Sequence, residues 1–192
     1  GILICLPAGI INDFMYETFN DGSDFSERLS ASFLSAAWSE ELLKFIILYF
    51  IVLRRNEFNE PMDGIVYGVT ASLGFATLEN IDYVFHTNWG GVITAEDVAF
   101  YRSFSAIPLH GLCGVIMGFN FGKYVFTSNQ KYLYFSILVP ILIHGSYNFI
   151  VGYNFILALV IIIITLIFSI KFHSNLKKLQ KNKKNENEKK RI

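Results

Sequence analysis

The sequence predicts an all-α protein: a transmembrane bundle of about six helices in a single unit. Three observations predict it. Residues classed as hydrophobic make up 53% of the chain and 14 glycines raise the apolar share to about 60%, against ~45–50% in an average soluble domain. From Tyr132 to Ile170 there is no Asp, Glu, Lys or Arg, only His144. Those 39 residues would form a helix of ~58 Å. A hydrocarbon core is ~30 Å thick, so the run reads as two crossings with a turn at Gly152-Tyr153-Asn154. Finally, the basic residues fall on alternate connections.

Six segments follow: 1–17, 30–53, 62–86, 98–122, 132–151 and 154–172. Arg54 and Arg55 follow the second, Lys123 and Lys131 the fourth, and nine more basic residues lie between Lys171 and Arg191. Together these are 13 of the 16 basic residues. The other connections carry Asp21, Asp24, Glu27, Glu96 and Asp97, with Arg28 as the basic exception. Lys and Arg are retained on the cytoplasmic side of membranes, so both termini are expected there. The expected organisation is one transmembrane domain over 1–172 and a polar, frayed, basic cytoplasmic tail over 173–192.

The chain begins at Gly1 without Met, and its first apolar stretch is short, which reads as an incomplete N-terminus. That stretch lacks a basic n-region and is not read as a signal peptide. Cys5 and Cys113 give neither a disulfide framework nor metal-finger spacing. Gly64, Gly68 and Ser72, and likewise Gly114, Gly118 and Gly122, form four-residue ridges suited to close helix packing. The 19 Phe and 10 Tyr are expected mostly at lipid or the interface. No internal repeat, phosphate loop or nucleic-acid motif is present, so the expected surroundings are the lipid bilayer and no nucleic acid is expected as a partner.

Against this background the ionisable residues inside the segments need explaining. Each costs at least ~2.5 kcal/mol on insertion scales. Trp38-Ser-Glu-Glu-Leu-Leu-Lys-Phe45 puts Glu40 and Glu41 four and three residues before Lys44, so either can meet the lysine on one helix face. A structural ion pair accounts for one glutamate and leaves the other over. Glu79 and Asn80 lie near the outer end of the third segment, and His110 sits on the fourth. His144 is followed at i+4 by Asn148 on the fifth. One such histidine is usually a satisfied packing residue. Counted from the helix ends at ~1.5 Å per residue, however, Glu40, Glu41, Glu79, His110 and His144 fall in one slab ~10 Å thick, in the outer half of the membrane. Independent core residues would scatter. Arg102 and Asp63, near helix ends, have the plainer reading of side chains that snorkel, and His86 and His173 that of interfacial residues.

This set supports hydrolysis. A glutamate can act as general base toward water. Glu79, His110 and His144 would supply a two-histidine, one-carboxylate set of the kind that holds catalytic zinc with one position open. Asn148 can donate to a developing oxyanion. No H-E-x-x-H motif occurs. Ser146 is on the wrong face to partner His144.

The ordered elements Glu40-Glu41-x-x-Lys44, Phe75-x-x-x-Glu79-Asn80, His110-x-x-x-Gly114 and His144-x-x-x-Asn148 resemble the PrsW family of bacterial intramembrane proteases, within the wider group of CAAX prenyl endopeptidases and Abi proteins. The resemblance implies an endopeptidase of the bacterial cell membrane. Its partner would be a single-pass membrane protein of the anti-sigma-factor type, cut near its extracytoplasmic side. It implies that Glu40 or Glu41 activates water, assisted by His110, His144 and Asn148, and it leaves zinc open. Lys44 in place of the usual Arg, and Glu79 where CAAX enzymes have His, argue against a prenyl-protein substrate. The alternative is a non-enzymatic protein, either an ion- or proton-coupled transporter or an immunity-type binding protein, since buried Glu, His and Lys also serve as proton relays. A transporter should show an inverted repeat or broken helix, and the sequence suggests neither.

Overall fold

The long apolar runs form helices whose ends fall where capping residues and prolines permit. The computed structural model describes residues 1–19, 23–85 and 93–189. A 3₁₀ turn, Ile2–Ile4, leads into α1 (Cys5–Phe19). Ser23 caps α2 (Asp24–Leu29) by accepting from the Ser26 amide. The chain continues through a π-helical stretch, Ser30–Ala37, into α3 (Trp38–Phe50). α4 (Pro61–Phe85) opens with proline, whose missing N–H costs nothing at a helix start. Asp63 caps it, Oδ2 accepting from the amides of Asn59 at 3.0 Å and Glu60 at 2.8 Å. A Thr94–Asp97 capping box starts α5 (Ala95–Phe104), and α6 (Ala106–Thr127) follows a break at Ser105. α7 (Gln130–Val151) and α8 (Phe155–Lys189) complete the bundle. All regular structure among the described residues is helical.

Every expected segment is therefore helical, with three differences. Residues 30–37 are wound as a π-helix, a form concentrated at functional sites, directly before the two glutamates. The fourth segment is broken at Ser105, so α5 and α6 are separate helices. The last helix continues past the expected end of its span to Lys189. Lys, Glu and Gln are good helix formers, and lengthening an existing helix needs no new nucleus. Asp21 and His86 lie outside the described residues.

Four stretches are long and apolar enough to cross a bilayer by length and composition: Ile2–Phe19, Ala95–Thr127, Gln130–Val151 and Phe155–Lys178. The two helical stretches outside that set carry the charged groups, Glu40, Glu41 and Lys44 on α3 and Asp63, Glu79 and Asp82 on α4. Apolar side chains also cover the outside: Ile156, Leu157, Ile163, Ile164, Ile167 and Ile170 of α8 are all exposed. An exterior of this kind suits lipid, not water, and the chain is an integral membrane protein.

The glycine ridges face one another. A Cβ on Gly68 would run into the Gly114 carbonyl, and one on Gly64 into the Gly118 carbonyl. α4 and α6 thus touch backbone to backbone. Below the polar layer Phe45, Leu48, Phe58, Met117 and Phe121 form one apolar cluster. Leu109, Cys113, Tyr147, Ala158 and Ile162 form another. These buried aromatics depart from the expected lipid-facing placement, which holds for Phe14, Phe50, Phe85, Phe100, Phe135 and Phe168. Of the two cysteines, both free, Cys113 is buried and Cys5 half-buried.

Replacing Gly118 with Leu is expected to force α4 and α6 apart, at ~1–3 kcal/mol or more for overpacking. The Gly9→Ala variant, with nothing near its would-be Cβ, should be neutral. Thermal melts in detergent, followed by size-exclusion chromatography, would check both; an unchanged melt for Gly118→Leu contradicts the seam.

Candidate active site

Four helices deliver ionisable side chains to one point. On α3, helical spacing turns Glu40, Glu41 and Lys44 inward, and all three are buried. His110 of α6 and His144 of α7 are each 2% exposed. The α4–α6 seam brings Glu79 to His110. The expected slab of polar groups is therefore a single connected cluster.

Its geometry is a chain of charge-assisted hydrogen bonds. Lys44 Nζ donates to Glu41 Oε1 at 2.7 Å and to His110 Nδ1 at 2.9 Å, and it lies 3.7 Å from Glu40 Oε2. The ammonium also sits over the Phe75 ring, 4.4 Å from its centre. An ammonium has only hydrogens to offer, so Nδ1 of His110 accepts and its Nε2–H donates to Glu79 Oε2 at 2.9 Å. The other histidine mirrors this arrangement: His144 Nδ1 is 2.9 Å from Glu41 Oε1, while its Nε2 faces Glu40 Oε2 at 4.0 Å. The two imidazoles meet edge to face, centres 4.9 Å apart. Each histidine is thus held by a carboxylate through one ring nitrogen and turns the other inward.

The two glutamates, equivalent in the sequence, are not equivalent here. Glu41 Oε1 accepts from both Lys44 and His144. Glu40 has the distant ion pair alone, and its buried Oε2 makes no hydrogen bond, nor does Oε2 of Glu41. Ligand atoms of Glu40, His110 and His144 lie within 4.8 Å of one another. Glu79, expected beside the histidines as a third ligand, stands one bond behind His110. Carboxylates in that position commonly orient a metal-bound imidazole, and Glu41 stands in the same relation to His144.

The donor set fits a metal ion. Two imidazole nitrogens and one carboxylate oxygen leave a fourth tetrahedral position open, and an unpartnered buried carboxylate oxygen needs a cation or a proton donor. Lys44 fills part of that need, and it would have to give up its bond to His110 Nδ1 for that nitrogen to hold a metal.

Asn148, on the His144 face, lines a cavity of about 1070 Å³ with Tyr83, Tyr101, Arg102 and Tyr147. Arg28, stacked 4.3 Å from the centre of the Tyr153 ring, lines it too. Ser146 faces a separate apolar groove on the lipid side. Arg102 was not legible as a site residue: it does not snorkel outward but reaches in, donating to Glu79 Oε2 at 2.7 Å and to the Asn80 side chain. The available signal was Glu79 itself, a deep carboxylate that needs a cation, with Arg102 on the next helix.

These features define an integral membrane helical protein with a buried Glu/His/His centre. A family model described as "PrsW family intramembrane metalloprotease" matches residues 1–172. The chain belongs to that family. It is 41% identical over 153 residues to Protease PrsW of Bacillus subtilis, covering 78% of this chain and 65% of that one. Protease PrsW of Geobacillus kaustophilus is 40% identical over 150 residues, covering 77% and 62%. That of Clostridioides difficile is 35% identical over 169 residues, covering 85% and 68%. The chain thus spans just under two thirds of the length of the first two relatives. No solved structure matches it.

The Lys44→Met variant leaves the buried glutamates without their cation and is expected to lose ~3–5 kcal/mol. Adding Glu41→Gln should restore part of that stability. Denaturation of the single and double variants in mild detergent measures the coupling; strictly additive losses would contradict a direct pair.

Proposed function

We propose that this protein is an intramembrane endopeptidase in which Glu40, His110 and His144 form the reacting centre. The observation that carries the reading is the buried, unpartnered Oε2 of Glu40 in the same small space as two histidines. A carboxylate so placed is available to a water molecule, whereas Glu41 is occupied by Lys44 and His144.

In this reading Glu40 takes a proton from water as its oxygen adds to the scissile carbonyl carbon. The C–N bond then breaks, and the proton passes to the departing nitrogen, leaving a carboxyl and an amine terminus. Asn148, at the cavity wall, donates to the oxygen that gains charge. His144 is held in register by Glu41, and His110 by Glu79. The family is described as a metalloprotease, and zinc held by Glu40, His110 and His144 would supply a Lewis acid and an activated water. With Glu40 so engaged, Oε2 of Glu41 is the remaining unpartnered carboxylate oxygen of the cluster.

We read the helical segments as six crossings with both termini cytoplasmic, because the basic connections alternate with the acidic ones. The cavity is lined by Asp24 and Glu27 of an acidic connection, which supports an extracytoplasmic position for it in that topology. A peptide reaching the centre through it would be cut near that side, as for an anti-sigma-factor type of single-pass substrate.

The test uses purified protein in liposomes with a single-pass reporter. Glu40→Gln, His110→Ala and His144→Ala should each lower cleavage ~100-fold or more, and Asn148→Ala ~100-fold. Full cleavage by the Glu40 and His144 variants ends this reading, and ion flux without cleavage would favour the transporter alternative. Metal analysis of the same samples decides between the two forms: one zinc per chain, removed by chelator along with activity, supports the zinc-dependent form with Glu40 as a ligand. Active metal-free protein would leave the glutamate mechanism standing and exclude the zinc-dependent form.

A further inference from the structure

We propose that Arg102 is a positioning residue of the reacting centre, acting through Glu79 to fix the ring of His110. The proposal rests on the hydrolytic reading above.

Arg102 occupies the last turn of α5, just before the break at Ser105. All its side-chain anchors lie on one stretch of α4. It bonds Glu79 Oε2 at 2.7 Å and the Asn80 side chain, and its guanidinium lies over the Tyr83 ring, 3.8 Å from the centre. Two bonds and a stacked ring define both the place and the plane of a guanidinium, which a lysine cannot reproduce.

The oxygen that Arg102 binds is the one that His110 uses. Glu79 Oε2 accepts from Arg102 and from His110 Nε2, the latter at 2.9 Å. The opposite ring nitrogen faces Lys44 at 2.9 Å. The imidazole is therefore pinned from both sides, and its outer pin is a carboxylate whose rotamer is set by Arg102. Without the guanidinium, Glu79 would be a partly buried anion, its side chain 13% exposed, with His110 as its remaining partner. It could then turn toward the cavity and release the ring. A plain tie between α4 and α5 would need the ion pair alone. Sharing one oxygen with the histidine is what links Arg102 to the chemistry.

The experiment compares wild type, Arg102→Gln, Arg102→Lys, Glu79→Gln and the Arg102→Gln/Glu79→Gln double variant, with Glu40→Gln as the inactive control. All are full chains in liposomes or nanodiscs. Arg102→Gln should lower kcat ~10–100-fold, as loss of an orienting partner typically does, with KM within about twofold. The double variant should be no worse than Glu79→Gln, and Arg102→Lys should recover part of the loss. Nitrogen-15 NMR of labelled histidines should show His110 ring resonances shifting in Arg102→Gln while those of His144 hold. Unchanged kcat in Arg102→Gln alongside an inactive Glu40→Gln would overturn the proposal and spare the hydrolytic reading. So would a rise in KM alone, additive losses in the double variant, or unmoved His110 resonances. If wild type itself fails to cleave, the hydrolytic reading fails, and the resonances still decide whether Arg102 holds the ring.

Discussion

The buried ionisable cluster of this protein is organised around one cation. Lys44 is fully buried, and an unpaired ammonium in the hydrocarbon region would be expelled or neutralised. Glu41, His110 and the Phe75 ring surround it at close range. Each of those partners in turn constrains a helix: Glu41 fixes His144 of α7, His110 brings in Glu79 of α4, and Glu79 draws in Arg102 of α5. Five helices are tied to one another by a path that begins at a single amine. Such a network is costly to assemble from separated parts and stable only when complete.

The same network explains the asymmetry between two neighbouring glutamates. Adjacent residues on a helix point ~100° apart, following from 3.6 residues per turn, so they approach Lys44 and His144 unequally, Glu41 at 2.7 and 2.9 Å and Glu40 at 3.7 and 4.0 Å. Glu41 faces the lysine and His144. Glu40 faces the open centre, with neither oxygen committed to a hydrogen bond. A structure that needed only charge balance would have no use for the second carboxylate.

Much of this was legible in the sequence. The uncharged run from Tyr132 to Ile170 gave two helices, and the ordered polar residues on four helices gave the cluster. Four things were not legible. The π-helical winding of Ser30–Ala37 packs against α7, where Gly145 lies against the Phe33 ring, and no local propensity signals it. The rank of Glu79 behind His110 depends on which ring nitrogen faces inward, and spacing along a helix carries no information on ring orientation. Arg102 sits near a helix end, and position along the chain cannot tell an arginine that turns outward from one that turns in. The helical continuation of α8 to Lys189 follows the helix propensity of its lysines and glutamates, which the polar composition of that end does not convey.

The glycine seam between α4 and α6 has a consequence for how the molecule can move. Most helix pairs are separated by side chains whose rotamers provide slack. Here main chain rests on main chain, so there is nothing to reorient, and the two helices behave as a single rigid girder carrying Glu79 and His110 at fixed separation. Any opening wide enough to admit a polypeptide must then come from elements on the other side of the cavity. The element there is α2, with Asp24, Glu27 and Arg28. The fold therefore divides into a stiff half that holds Glu79 and His110 in register and a half across the cavity that can give way.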